Sequence, residues 1–322
     1  MAVAPVIDAQ VHLNLLGSVD AAVAAMDAVG VDGVVIDEWW GMDRDGVRLP
    51  HYRRPDGTVR HTYPFSTEAV ARFPDRFAYT GWVDRDDPAL DDEVAAIAAN
   101  PQQVAIRVVL YPNHGDDQAL EAGAYDRLFA AVGRHDVPVK VIVASTDVAR
   151  RKDLLFPLMQ RFEEVRFVVD HCGVILLSAA DEAAGLRRPS TLEHGLAYAE
   201  LPNVAVQWAH APTLSAERFP FADVEPWLRR FVDAYGADRV LWAGDVTHLR
   251  EHHTWAEALY AVALAPSLTD DERAAVLGGT ASRLYRWPAG SPTGEPLDDY
   301  RASTWREQPM QARRAGLDAR RR

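Results

Sequence analysis

Imidazole and carboxylate side chains move protons near neutral pH. In this chain several of them close short apolar runs. "VIDAQVHLN" (6–14) carries Gln10 and His12 two residues apart. "VRFVVDHCG" (165–173) ends in Asp170, His171 and Cys172. "RVLWAGDVT" (239–247) contains Asp245, with His248 just beyond it. Other runs close on Asp37, Glu38, Trp39 and Trp40, on Trp82 and Asp84, on Ser145, and on Gln207, Trp208 and His210, and another carries Arg107 and Tyr111. Each residue alone has a plainer reading. A single His at a strand end is commonly a hydrogen-bonded structural residue, and Asp245 would serve as the N-cap of a following helix. Trp-rich ends default to core, and Cys172 reads as an inert buried thiol. His51, His61, His135, His194, His252 and His253 read as surface or loop residues. Arg107 is harder to set aside, because a guanidinium inside an apolar strand needs an anionic partner. Glu38, Asp84 or a substrate carboxylate are the candidates. His12, His171 and Asp245 together are a stronger signal than any one of them.

The elements that must position these groups alternate in type. Strands are expected at 6–13, 33–39, 77–83, 104–111, 137–145, 165–173, 204–211 and 239–247. Amphipathic runs lie between them, at 18–30, 66–73, 90–99, 124–135, 147–162, 191–201 and 223–236, and two more follow at 255–265 and 271–287. Ser18 and Gly30 frame the first helix as N-cap and C-cap, and Pro157 is expected to kink or restart the sixth. Strands alternating with helices imply a parallel sheet. Eight such units imply an α/β fold of the (β/α)8 TIM barrel kind, in a single domain over 1–287. A loop insertion at about 41–65 holds a small "RRPDGTVR" hairpin, and 288–322 form a basic C-terminal tail. No GxGxxG follows a strand, which weighs against a doubly wound sheet. A barrel keeps its chemistry at the C-terminal strand ends, and Gln10 and His12, two apart, share a face there.

Composition narrows the class of partner. A formal charge of −13 argues against nucleic acid or an anionic membrane. No run approaches the roughly 18 apolar residues of a membrane span, and "MAVAPVIDAQ" lacks the basic and apolar regions of a signal peptide. The single cysteine leaves no intramolecular disulfide and no cysteine-based zinc site, which fits a reducing, cytoplasmic setting.

At these motifs the sequence resembles the amidohydrolase-related (amidohydrolase 2) family of barrel hydrolases, lactonases and nonoxidative decarboxylases. "IDAQVH" stands where that family has IDxHxH, "DHCG" (170–173) where it has DHxG, and "AGDVTH" (243–248) where it has GSDxPH. "LGGTASRLY" (277–285) resembles its closing LGxNAxRLY. Two departures stand out: Gln10 replaces the first His, and the fifth strand "VKVIVAS" lacks the His that metal-dependent relatives carry. The resemblance therefore implies a lactonase-like hydrolase acting on a small cyclic ester or amide without a metal. Asp245 would be its general base, with His12, His171 and Gln10 polarising the carbonyl. Arg107 would hold a substrate carboxylate. Glu38, Trp39, Trp40, Tyr111, Trp208, His210 and His248 would line the pocket. One alternative is a decarboxylase of an aromatic acid with one divalent ion, Zn or Mn, on His12, His171 and Asp245. The other is a degenerate barrel that binds a ligand or partner without turnover. Loops 41–65 and 174–190 are expected over the mouth, and the family resemblance is compatible with a homo-oligomer.

Overall fold

The computed structural model describes residues 5–38, 51–53, 55, 57–110, 116–143, 148–174, 185, 187–249 and 251–287. Eight parallel strands form the sheet: β1 (Ile7–Val11), β2 (Gly33–Ile36), β3 (Phe77–Gly81), β4 (Gln103–Leu110), β5 (Val139–Val143), β6 (Phe167–Val169), β7 (Val204–Trp208) and β8 (Val240–Trp242). Each pairs with its successor in the chain, and helices fill the connections. The result is a nearly closed TIM barrel. Across the seam between β8 and β1, the Asp245 amide donates to the Gln10 carbonyl at 3.0 Å. Asp8 reinforces that seam. Its Oδ1 accepts from the Gly244 and Gln10 amides at 2.9 and 3.0 Å, and its Oδ2 accepts from Trp255 Nε1 at 2.8 Å. A Cβ on residue 244 would lie 2.5 Å from Asp8 Oδ2, so the seam demands glycine.

Period-two alternation organises the interior. Val35, Ala78, Ala105, Val168, Ala205 and Leu241 belong to one apolar cluster with Ala281, Tyr285 and Trp287 of the closing segment. Two residues further along five of those strands stand Asp37, Thr80, Arg107, Asp170 and Gln207, all buried. An apolar floor therefore gives way to a polar layer beneath the mouth. The register of β1 on β2 shifts between Asp8 and Val11. In that irregular stretch the Ala9 carbonyl accepts from Lys140 Nζ at 3.1 Å and Gln207 Nε2 at 3.0 Å.

Several local expectations resolve in detail. The helix Val19–Val29 starts at Ser18, whose hydroxyl accepts from the Ala21 amide, and ends at Gly30 with φ 94°. The helix Val148–Arg161 runs through Pro157 without a restart. The closing run is not one regular helix. It comprises Asp270–Ala274, a wide turn at Ala275–Gly279 and Thr280–Leu284. The wide turn brings Gly278 against the Pro5 carbonyl, where a Cβ would stand only 1.7 Å away. Within the insertion, His51–Arg53 pairs antiparallel with Val59–His61. This hairpin docks on the end of β3, with the Val59 amide donating to Asp84 Oδ2 at 3.0 Å. Residues 39–50, 54 and 56, most of 174–190 and the 288–322 tail lie outside the described residues. Among the described residues no helix is long and apolar enough to cross a membrane.

Candidate active site

Asp245 follows β8 and is 2% exposed. Three imidazoles from three other strand ends converge on its carboxylate. His12 Nε2 lies 3.3 Å from Oδ1, while His171 Nε2 and His210 Nε2 lie 3.4 and 2.7 Å from Oδ2. The His171 and His210 rings face each other with centroids 4.2 Å apart. The backbone at this cluster is unusual, since His171, His210 and Asp245 have φ of 54°, 60° and 43°. Left-handed backbone costs a non-glycine residue about 1–3 kcal/mol, although Asp and His tolerate it better than most. That conformation lets the side chains turn from the strand ends into the mouth. Asp245 precedes the short helix Val246–Leu249, as a cap would, yet its carboxylate faces the imidazoles.

The imidazoles are oriented from behind. His12 Nδ1 donates to the Asp37 carbonyl at 2.6 Å, which turns its Nε2 toward Asp245. The Gln10 amide fits best with its oxygen accepting from His171 Nε2 at 3.1 Å and an Arg107 nitrogen at 2.9 Å, and its nitrogen donating to Gln207 Oε1 at 2.8 Å. Burial alone would raise the Asp245 carboxyl, but the neighbouring imidazoles of His12, His171 and His210 outweigh it and hold the group well below the usual carboxylate range. Burial, with His171 alongside, pulls His210 down to about 4, so this ring is neutral at pH 7.

Arg107 requires a correction. Its partners are neither Glu38 nor Asp84 but Asp37, with which it makes a direct ion pair, and Asp170 Oδ2 at 3.1 Å. The reason is the period-two layer, which puts Asp37, Arg107 and Asp170 at one level inside the barrel. Asp37 Oδ1 also accepts from Thr80 Oγ1 at 3.2 Å and Trp82 Nε1 at 3.3 Å. Glu38 points elsewhere, accepting from the Phe65 and Ser66 amides at 3.1 and 2.8 Å at the start of the helix Pro64–Arg72. Trp208 is buried against Phe231, ring centroids 5.4 Å apart. His253, expected as a surface or loop residue, lies in the loop before Trp255–Ala263 but is only 4% exposed. Trp39, Trp40, Tyr111, Ser145 and the side chain of His248 lie outside the described residues. The structure thus brings together Gln10, His12, His171, His210 and Asp245, with Arg107 one layer beneath.

Lys140 was missed by sequence reasoning. It is fully buried on β5, and burial brings its ammonium down to about 7. The signal was present as a lone cation inside "VPVKVIVAS". Cys172 is also fully buried, its thiol donating to the Ala209 carbonyl at 3.3 Å, and burial pushes it far up the scale.

His171, His210 and Asp245 each offer a ligand atom, all within 4.8 Å of one another. This set differs from the expected one by including His210. Two imidazoles and a carboxylate suit a zinc-like ion. Asp245 Oδ1 faces His12 Nε2 at 3.3 Å and accepts no well-formed hydrogen bond among the described residues, which suits that oxygen to a cation.

The amidohydrolase family matches residues 18–287. The chain belongs to that family. The match starts beyond Gln10 and His12, so these two rest on the geometry above. An L-fucono-1,5-lactonase from Burkholderia ambifaria is 26% identical over 219 residues, 65% of this chain and 70% of the relative. A solved amidohydrolase from Burkholderia multivorans with bound zinc superposes with a TM-score of 0.65 at 20% identity, covering 88% of this chain and all of that one. A 2,6-dihydroxybenzoate decarboxylase from Rhizobium superposes at 0.56 with 14% identity, covering 89% and 99%. At these identities the two structures speak for the fold alone. Membership of the family and the lactonase relative support an enzyme of the hydrolase or related lyase kind.

Proposed function

We propose that this protein is a lactonase-like hydrolase of a small cyclic ester, with Asp245 at the centre of the reaction. The observation that carries the reading is the single buried carboxylate facing three imidazole Nε2 atoms at the barrel mouth. The lactonase relative supports an ester substrate rather than an aromatic acid. In the proposed reaction a water attacks the ring carbonyl while Asp245 accepts its proton. A carboxylate held so low is a weak base by itself. His12 answers that difficulty: its Nδ1 already donates to Asp37, so its Nε2 can take the proton across 3.3 Å. His12 and Asp245 then work as a pair that stores one proton as an imidazolium–carboxylate couple. The same proton returns to the ring oxygen as the ester bond breaks. In this reading His171, ordered by Gln10, shares its Nε2–H with the developing oxyanion.

His171, His210 and Asp245 would hold a divalent ion where one is bound. Such an ion polarises a carbonyl and acidifies a bound water. The lactonase reading uses the chain's own groups for the proton steps. Arg107, committed to Asp37 and Asp170, is in this reading a structural cation and not the anchor of a substrate carboxylate. The lone buried Cys172 suits a reducing, cytoplasmic setting.

The test is a panel of sugar and simple lactones assayed by acid release, with elemental mass spectrometry on the same preparation before and after chelation. Lactone turnover that survives chelation supports the reading. Turnover only of aromatic acids with CO2 release, lost with a stoichiometric metal, would replace it with the decarboxylase alternative.

A further inference from the structure

His253 is buried, stands outside every motif considered above and has an unusual environment. Its Nδ1 lies 3.2 Å from the Thr254 carbonyl, which can only accept, so Nδ1 carries the proton. Its Nε2 is therefore a lone pair in the neutral ring, and it meets no hydrogen-bond partner among the described residues. The Phe221 ring packs against it edge-on, with centroids 6.5 Å apart. A buried acceptor without a donor costs about 1–3 kcal/mol, so such atoms call for an explanation.

The explanation lies in the space beside it. A cavity of about 10 Å³ is lined by His253, His210, Trp208, Trp242 and the backbone of Gly244. That is close to the volume one water occupies by this measure. His210 borders the same space. Its Nε2 donates to Asp245 Oδ2 at 2.7 Å, so the neutral ring has its own lone pair on Nδ1. His253 and His210 both line this single-water cavity, and each neutral ring has one acceptor nitrogen, so a molecule with two hydrogens to donate would serve both.

We propose that His253 is a positioning residue for His210, acting through one ordered water that donates to His253 Nε2 and to His210 Nδ1. The water fixes His210 in the Nε2–H tautomer and aims that N–H at Asp245. Without it, His210 can exchange tautomers, and the carboxylate then faces a bare nitrogen. The proposal deepens the reading of Asp245 as the reaction centre, and it rests on that reading only for its kinetic arm.

The first measurement is long-range 1H–15N correlation on the wild-type histidine rings at neutral pH, without substrate. His210 protonated on Nε2 and His253 protonated on Nδ1, with both remaining nitrogens shifted as hydrogen-bond acceptors, is the expected result. His210 found as the Nδ1–H tautomer overturns the proposal, and this arm stands even if no lactone is turned over. The second is His253→Phe, which keeps the volume and removes the acceptor, beside His253→Gln, which keeps an acceptor. The Phe variant should lose about tenfold to a hundredfold in kcat, the usual effect of an outer-shell partner. KM should change by less than about twofold, and His210 should show mixed tautomers. The Gln variant should recover most of kcat. Unchanged His210 signals in the Phe variant, or equal losses in both variants, would make His253 a packing residue only.

Discussion

Replacing Arg107 by methionine separates a structural cation from a substrate anchor. The guanidinium is 3% exposed and lies between Asp37 and Asp170, both fully buried. Its removal leaves two carboxylates in the barrel interior. Asp37 keeps Thr80 and Trp82 as donors to Oδ1, whereas Asp170 Oδ1 already has no partner among the described residues. Removing one member of a buried ion pair costs about 3–5 kcal/mol. With two carboxylates stranded, the upper end applies, against a total stability of about 5–15 kcal/mol. For a chain of this size each kcal/mol moves Tm by about 2 °C, so Arg107→Met should melt about 10 °C below the wild type at pH 7.5. Protonating one stranded carboxylate relieves the charge, so the deficit should shrink at pH 5. Arg107→Lys, which retains the charge but reaches one carboxylate, should fall between. Circular dichroism melts at the two pH values give the answer. A Tm within about 2 °C of wild type, with only KM raised, would refute the reasoning and restore Arg107 as a substrate anchor.

Three further outcomes follow from the same geometry. Asp245→Asn keeps the shape and accepts or donates a hydrogen bond to the surrounding rings, so it should fold normally while kcat falls about 10²–10⁴-fold; steady-state kinetics beside a melt checks this, and full activity would remove Asp245 from the chemistry. Asp8→Asn sets an amide N–H against Trp255 Nε1 and should cost about 1–3 kcal/mol. Burial raises the Asp8 carboxyl to about 7, so its stabilising contribution is full in acid and is lost as pH rises through 7. Denaturant melts from pH 5 to 8 should show the gap between wild type and variant narrowing with pH. His210 shifts the other way, from 6.5 down to about 4. Its native ring stays neutral while the unfolded chain takes up a proton, so its contribution is full above pH 6.5 and declines toward pH 4, by up to about 3 kcal/mol. His210→Gln should lack that decline, and parallel slopes in the two proteins would count against a neutral His210.

The barrel was legible because its pattern is repetitive. Eight β-branched runs separated by amphipathic ones allow few other folds; seven strands lie within the expected segments, and β4 starts one residue earlier, at Gln103. Gln10, His12, His171 and Asp245 were legible because barrels place chemistry at strand ends. What escaped was partner choice. Arg107 announced that it needed an acid, but nearness in sequence says nothing about level inside a barrel. Asp37 and Asp170 follow only once every strand is counted two residues up from the apolar layer. His253 escaped for another reason: "REHHTW" reads as a polar loop, and what packs on the ring is Phe221 from another part of the chain. Left-handed backbone at His171, His210 and Asp245 leaves no compositional trace at all.

These features place a local cost beside the proposed reaction centre. His171, Cys172, His210 and Asp245 at the mouth hold left-handed backbone, and the layer beneath them buries Asp37, Arg107, Lys140 and Asp170. Neither arrangement is what a core optimised for stability would choose. Their common consequence is orientation. The backbone turns His171, His210 and Asp245 inward, and the charged layer holds His12 through the Asp37 carbonyl and His171 through Gln10. Neutral substitutions in that layer that preserve volume, such as paired Asp170→Asn and Lys140→Met, should therefore leave the melt unchanged or raise it, while kcat falls because Gln10 and His171 lose their fixed orientation. A paired variant more stable and equally active would show that the buried charges are dispensable for the site.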